Sequence, residues 1–338
     1  MSYRLSHSGI SMSSLTFGVF TMSHLIESMT YVGDVPWHGL GNQLTAHQPI
    51  ETWLTEAGMD WRIEQSDVLF NADNTSLNIR SHSDAKVLYR SDSLEPLSVV
   101  SNRYKVVQPK DVLHFYKDLV SAGGFELETA GVLKGGRKLW ALAKTGQEAR
   151  IKGNDRIKAY LLLATSCDGT LCTTAQFTSV RVVCNNTLQL ATRDSNGAVK
   201  VPHSTQFDPK QVKEALGIGF ASWESFMTNL KQLSQRTVSP QEADSFIRTV
   251  LNEPELTEDN VQGSKMFQTV NSLYQGKGMG SELSSASGTA WGLVNAMTEY
   301  VDHHRRARNQ DNRLDSAWFG QGALLKQKAF NQALTLLH

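Results

Sequence analysis

Between Lys134 and Lys158 the chain sets eight basic residues (Lys134, Arg137, Lys138, Lys144, Arg150, Lys152, Arg156 and Lys158) against two acids, Glu148 and Asp155. A local excess of cations favours a polyanion, and basic residues carried on strands beside aromatic side chains are one way to hold a single nucleic-acid strand. Lys134, Arg137, Lys138, Arg150, Lys152, Arg156, Lys158 and, further on, Arg181 are therefore the candidate phosphate contacts. The plainer alternative is a solvated rim whose charge is neutralised by acids distant in sequence. Lys plus Arg and Asp plus Glu number 33 each in the 338 residues, so any nucleic-acid role rests on this clustering and not on an overall basic field.

Other chemistry is sparse. His38, between Trp37 and Gly39, reads as a packed loop residue, and neither it nor His303 or His304 has a nucleophile at a recognisable spacing, so no catalytic residue is assigned. Cys167, Cys172 and Cys184 do not follow zinc-ligand spacing, and no metal or cofactor is assigned. Three cysteines are too few for a disulfide framework and fit a reducing cytoplasm. Gly276-Lys277 lacks the upstream glycine and the preceding strand of a phosphate-binding loop. No apolar run approaches the roughly 18 residues that would cross a bilayer, so no membrane partner is expected. The serine-rich first 21 residues lack a signal-peptide cleavage pattern and read as a tail, with Met22 or Met29 as alternative starts.

The basic residues must be positioned by strands. Lys158 to Ala191 consists of two apolar, β-branched runs flanking Asp168-Gly169, a dipeptide suited to a two-residue hairpin turn. That turn predicts Leu162 opposite Ala175 and Tyr160 opposite Phe177, giving one apolar face and one half-polar face open to water or a ligand. Continued, the register sets Arg156 opposite Arg181. Like charges so opposed destabilise a ladder unless an anion lies between them; alternatively, pairing ends near Ser179 and the arginines splay into solvent.

Around this hairpin the pattern predicts a short helix from Pro49 to Ala57, several short strands between Trp61 and Val107, a helix from Pro109 to the glycines at 123–124, and a hairpin turning at Gly135-Gly136. Asn185-Asn186 reads as a helix cap. Beyond Pro202 the periodicity is helical: Asp208-Pro209 opens one helix, Ser239-Pro240-Gln241-Glu242 is a capping box for the next, and Thr289 caps a helix running to about Arg308, where the cations suit the helix C-terminus. A last helix runs through Leu324, Phe330 and Leu334. The fold class is α+β, an antiparallel β-rich N-terminal core with flanking helices followed by a mainly helical C-terminal region. The organisation is a tail over 1–30, a core over 31–205 and a helical part over 206–338.

The segments ETAGVLKGGRKLWALAK and TSVRVVCNNTLQLA, with PWHGLG near the start and GTAWGLVNAMTEYVDHH and WFGQGALLKQKA near the end, closely resemble the phage/plasmid-like family known as domain of unknown function 932. Ser179 departs from the proline expected before VRVVC, and Ser166-Cys167 from a histidine common at that turn. The resemblance implies a role in mobile-DNA biology. The order of helix, antiparallel meander and helix is similar, at the level of topology alone, to the Redβ, Erf and Sak single-strand annealing families, and this implies a basic groove and a ring-like assembly. The expectation is a non-enzymatic, homo-oligomeric nucleic-acid-binding protein of mobile elements, with single-stranded DNA as partner and annealing or recombination as its role. The alternative is a structural or host-interaction protein, such as an anti-defence factor, with a protein partner.

Overall fold

Residues 138–144 and 157–164 are apolar at nearly every position, a pattern that suits strands buried on both faces. The computed structural model, which describes residues 26–33, 36, 41–73, 78–181, 186–189, 198–216, 219–253 and 264–338, places them so. They lie in β7 (Lys138–Arg150) and β8 (Arg156–Ser166), at the middle of an eight-stranded sheet. On one side of this pair stand β6 (Glu126–Leu133), β1 (Ile26–Val32) and β2 (Asn42–Leu44). On the other is β9 (Thr173–Arg181), whose outer edge pairs with both β10 (Asn186–Gln189) and β11 (Ala198–Val201). All pairings in this sheet are antiparallel except β1 with β2. A separate sheet contains β3 (Ile63–Asn71), β4 (Ile79–Arg90) and β5 (Pro96–Ser101).

Each face of the central pair has its own cover. Leu139, Ala141, Leu161 and Leu163 share the face packed by α2 (Pro109–His114), and just beyond that helix the buried Tyr116 hydroxyl donates to the carbonyls of Ala141 at 2.8 Å and Leu161 at 3.0 Å. Trp140, Leu142 and Leu162 look to the other side, where Trp318 meets Trp140 edge-on at 4.9 Å between ring centroids. Trp318 lies in α9 (Gln310–Phe319), followed by α10 (Gln321–Thr335). α10 packs on α8 (Ala290–Glu299), every residue of which is buried, and α9 packs on α10 and on the π-helical turn at Tyr300–His304 that continues α8. A helix buried on all sides carries no polar stripe. Its polar residues are bonded instead: Thr289 caps it by accepting from Gly292 N at 3.1 Å, and the buried Asp302 takes Lys326 Nζ at 2.8 Å.

The remaining helices are α1 (Ile50–Glu56), α3 (Lys117–Gly123), α4 (Pro209–Leu216), α5 (Gly219–Gln235), α6 (Pro240–Leu251) and α7 (Lys265–Ser272). The expected capping box is present, Glu242 N donating to Ser239 Oγ at 3.2 Å and Ser239 N to Glu242 Oε2 at 2.8 Å. These backbone and side-chain bonds, with Arg236, hold the Glu242 carboxyl down at about 2. The fold is α+β, with the sheets in the N-terminal half and the helices concentrated beyond residue 208. β1 starts at Ile26, inside the segment that reads as a tail, and Asn186 begins a strand instead of capping a helix. His38, Asn185 and Cys184 lie outside the described residues.

The central hairpin differs in register. Asp168 Oδ1 accepts from Thr170 N at 3.0 Å and from the Thr170 hydroxyl at 2.6 Å, while Ser166 Oγ accepts from Leu171 N at 3.0 Å. The turn is therefore a wider loop centred on Gly169, and the pairs are Leu162 with Gln176 and Tyr160 with Thr178. Sliding a strand by one residue moves all its side chains to the opposite face. Thr174, Gln176 and Thr178 thus share a face with Tyr160 and Leu162, under the C-terminal helices, where they are largely buried.

Burial pushes the Cys167 thiol up to about 12, with the Asp168 charge adding to the effect, and burial likewise raises Tyr104 and Tyr116. A raised acid stays protonated in the fold, so the Cys167 contribution to stability is complete below its ordinary value of 9.0 and is lost as pH rises towards 12. Denaturant titrations should show stability falling across that alkaline window, with a smaller fall in Cys167→Ala. Near neutral pH iodoacetamide should modify the exposed Cys172 and spare Cys167 until the chain is unfolded, as read by peptide mass spectrometry.

Candidate nucleic-acid interface

The eight candidate residues follow β7 and β8 and do not form one groove. Antiparallel pairing sets Lys138 opposite Ser166 at one end of the two strands and Arg150 opposite Arg156 at the other. At about 3.3 Å per residue these ends stand roughly 30 Å apart.

At the first end the cations are engaged. Lys134 Nζ meets Asp315 Oδ2 at 2.5 Å, and the buried Lys138 reaches the other oxygen of the same carboxylate. Asp315 lies about 180 positions further along the chain, in α9, so this end is the rim neutralised by a distant acid. Arg137 Nε donates to the Leu97 carbonyl of β5 at 2.8 Å and ties the small sheet to the large one. Lys144, between the ends, pairs with Glu128 at 2.6 Å. These side chains hold elements together, and of the candidate phosphate contacts Lys134, Arg137 and Lys138 are engaged in this way.

The second end is different. Arg156 meets Glu148 Oε1 at 3.2 Å, a half-exposed pair of small worth in water. Arg150 and Lys152 are exposed, Lys158 is half-exposed, and none of the three makes an ion pair among the described residues. Arg181 does not face Arg156: it pairs in the ladder with Ile157, one position along, because the loop at Gly169 has one residue more than a two-residue turn allows. A like-charged pair does close the ladder, but it is Arg150 with Arg156, across the β7–β8 turn.

That turn is anchored by one acid. Asp155 is fully buried, and its Oδ2 accepts from Ser285 Oγ at 2.6 Å and Trp291 Nε1 at 3.1 Å. Trp291 belongs to the first turn of α8, and Ser285 to the small-residue loop Gly278–Thr289 that leads into it. Gly153 takes the left-handed region at φ +61°, and a Cβ there would lie at ordinary contact distance, 3.8 Å, from the Ser284 hydroxyl, which sets the turn beside that loop. The site is therefore a basic turn set against a serine- and glycine-rich loop, two segments about 130 residues apart. Exposed Ser284, Ser287 and Gly288 add hydroxyl and backbone donors, and Glu282 is the acid exposed beside them. Composition marks this loop as special, but spacing alone does not bring it to Lys152. Among the described residues no cluster of three His, Cys, Asp or Glu side chains could hold a metal, and no helix is long and apolar enough to cross a membrane.

Replacing Asp155 by Ala leaves two donors in a buried site without their acceptor, at a cost of about 1–3 kcal/mol for each such group. Urea titration should show a loss of roughly that size, and amide hydrogen exchange should accelerate in residues 278–289 ahead of the central strands. Asp155→Asn, which keeps an acceptor oxygen, should lose less.

No curated protein and no solved structure matches the chain. A family model matches residues 96–318, a span that holds β5 to α9 and both segments of the basic site. The chain belongs to the family described as the domain of unknown function DUF932.

Proposed function

We propose that this chain is a non-enzymatic nucleic-acid-binding protein that grips single-stranded DNA by its phosphates at the β7–β8 turn, with Arg150, Lys152 and Lys158 as the principal contacts. Arg156 contributes once Glu148 is displaced, and Arg181 continues the site along β9. The observation that carries the reading is that Arg150, Lys152 and Lys158, exposed or half-exposed and without ion-pair partners among the described residues, gather at one end of the sheet in a chain of zero formal charge. Phosphate contacts of this kind confer affinity without sequence choice. The neighbouring serine and glycine loop suits a backbone that must approach closely. A role in annealing or recombination within phage- or plasmid-type elements follows from the resemblances noted above, and a cytoplasmic location from the cysteine content.

Binding of fluorescently labelled single-stranded DNA should be measurable at low salt and fall steeply as salt rises. Each phosphate contact on a single strand contributes about 0.7 to the slope of log affinity against log salt, so Arg150→Ala, Lys152→Ala and Lys158→Ala combined should flatten it by about 2. Lys134→Ala, at the neutralised end, should leave the slope unchanged. Absence of binding at low salt, or an unchanged slope in the triple variant, refutes the assignment.

A further inference from the structure

The small sheet reaches away from the rest of the protein. β5 pairs with β4 only between Ala85 and Tyr89, so past the irregularity at Asp67 and Val68 the two strands continue as a bare ribbon, Val68–Asn71 against Ile79–His82. Two-stranded ribbons are marginal in water without something to pack on. This one is apolar on both faces. Leu69, opposite Ser81, shares a face with Ile79, and the two are 61% and 62% exposed. Phe70, opposite Arg80, shares the other face with Val68 and His82 and is 47% exposed. A flat partner would cover one face only; covering both takes a cleft.

A cleft of about 470 Å³ lies between the start of α1, α3 and the start of β6, with Ile50, Val120, Phe125 and Leu127 in its wall. Val120 is 41% exposed, unusual for a valine in a helix. Glu51 and Glu126 line it, together with His47 and Lys117. Beyond the irregularity the Phe70 face of the ribbon carries Arg80 and His82 and no acid, so an apolar, cationic ribbon faces an apolar cleft bearing two carboxylates. A second groove, beside Leu324 and Phe319, has Lys200 as its charged lining residue and would repel Arg80.

We propose that the β3–β4 arm of one copy of this chain seats in the α1–α3 cleft of the next. Arm and cleft are different surfaces, and where one copy hands its arm to the next without receiving that copy's arm in return, the contact is head-to-tail and repetition closes a ring or extends a filament. Phe70 and Leu69 anchor the apolar part, and Arg80 selects the cleft through Glu51 and Glu126. None of these residues belongs to the basic turn, so this inference stands or falls separately from DNA binding.

Sedimentation velocity on the full chain tests it. The wild-type protein should form species larger than a monomer in a concentration-dependent way. An arm variant, Leu69→Ser with Phe70→Ser and Ile79→Ser, and a cleft variant, Val120→Glu, should each weaken self-association by about thirtyfold, the scale of a central contact residue. Circular dichroism melting checks that each variant folds, and Arg80→Glu supplies an arm variant that removes no apolar side chain. Mixed together, the arm variant with its intact cleft and the cleft variant with its intact arm should form a heterodimer and nothing larger, whereas the wild type should grow beyond a dimer, which a closed two-fold exchange of arms would not do. Glu51→Lys with Glu126→Lys should in turn restore association with Arg80→Glu. A wild type that stays monomeric at every concentration, or arm and cleft variants that assemble like wild type, would overturn the proposal.

Discussion

The architecture depends on β7 and β8 being apolar on both faces. A strand pair of that composition is stable only when covered twice, and the chain supplies the covers from two distant regions. α2 and Tyr116 come from just before the sheet, and the C-terminal helices gathered on α8 come from more than a hundred residues beyond it. At about 25 cal/mol per Å² of apolar surface, burying Trp140, Leu142 and Leu162 under Trp318 is the main gain that recruits the C-terminal part. The helical half is thus a layer of the same fold, joined to it through its own aromatic residues.

Polar side chains set where that layer docks. Asp315 receives Lys134 and Lys138 at one end of the strands, and at the other Asp155 receives Ser285 and Trp291. Both acids join segments far apart in sequence, so each acts as a register mark, for a shifted layer would leave buried charge or buried donors without partners. The same two contacts decide which cations face water. Lys134 and Lys138 are neutralised because α9 must dock beside them, whereas Arg150, Lys152 and Lys158 lie past the edge of the helical cover.

The β3–β4 arm follows a different logic. Its base is tied to the body through Arg137 and Leu97 and by Gln108 Oε1, which accepts from Ile63 N at 2.9 Å. Past that base Leu69, Phe70 and Ile79 stay exposed among the described residues. The arm lies before the span matched by the family model, while the basic turn and its companion loop lie within. The molecule therefore presents two separate surfaces, one dominated by cations and one by exposed apolar side chains.

Much of the element order was legible from residue pattern alone. Pro49 before α1, Pro109 at the first position of α2, the Ser239–Glu242 capping box, Thr289 before α8 and the glycines at 135–136 are local signals, because caps and turns involve residues within four positions of one another. The α+β class and the sharing of helices to the C-terminal part followed from the change of period near Pro202. The basic cluster was also visible as composition. Its division was not: proximity along a strand is no guide to which end an acid from another layer will reach. The hairpin register escaped for a related reason, since Asp168-Gly169 suits a two-residue turn locally, and only the side-chain bonds of Ser166, Asp168 and Thr170 and the helices over Gln176 and Thr178 favour the wider loop. Sequence by itself determined most of the strands and helices, though not β1 or β10, and where cations concentrate. The tertiary structure alone decided which of those cations remain exposed, because the carboxylate that neutralises Lys134 and Lys138 is brought in from more than a hundred residues away.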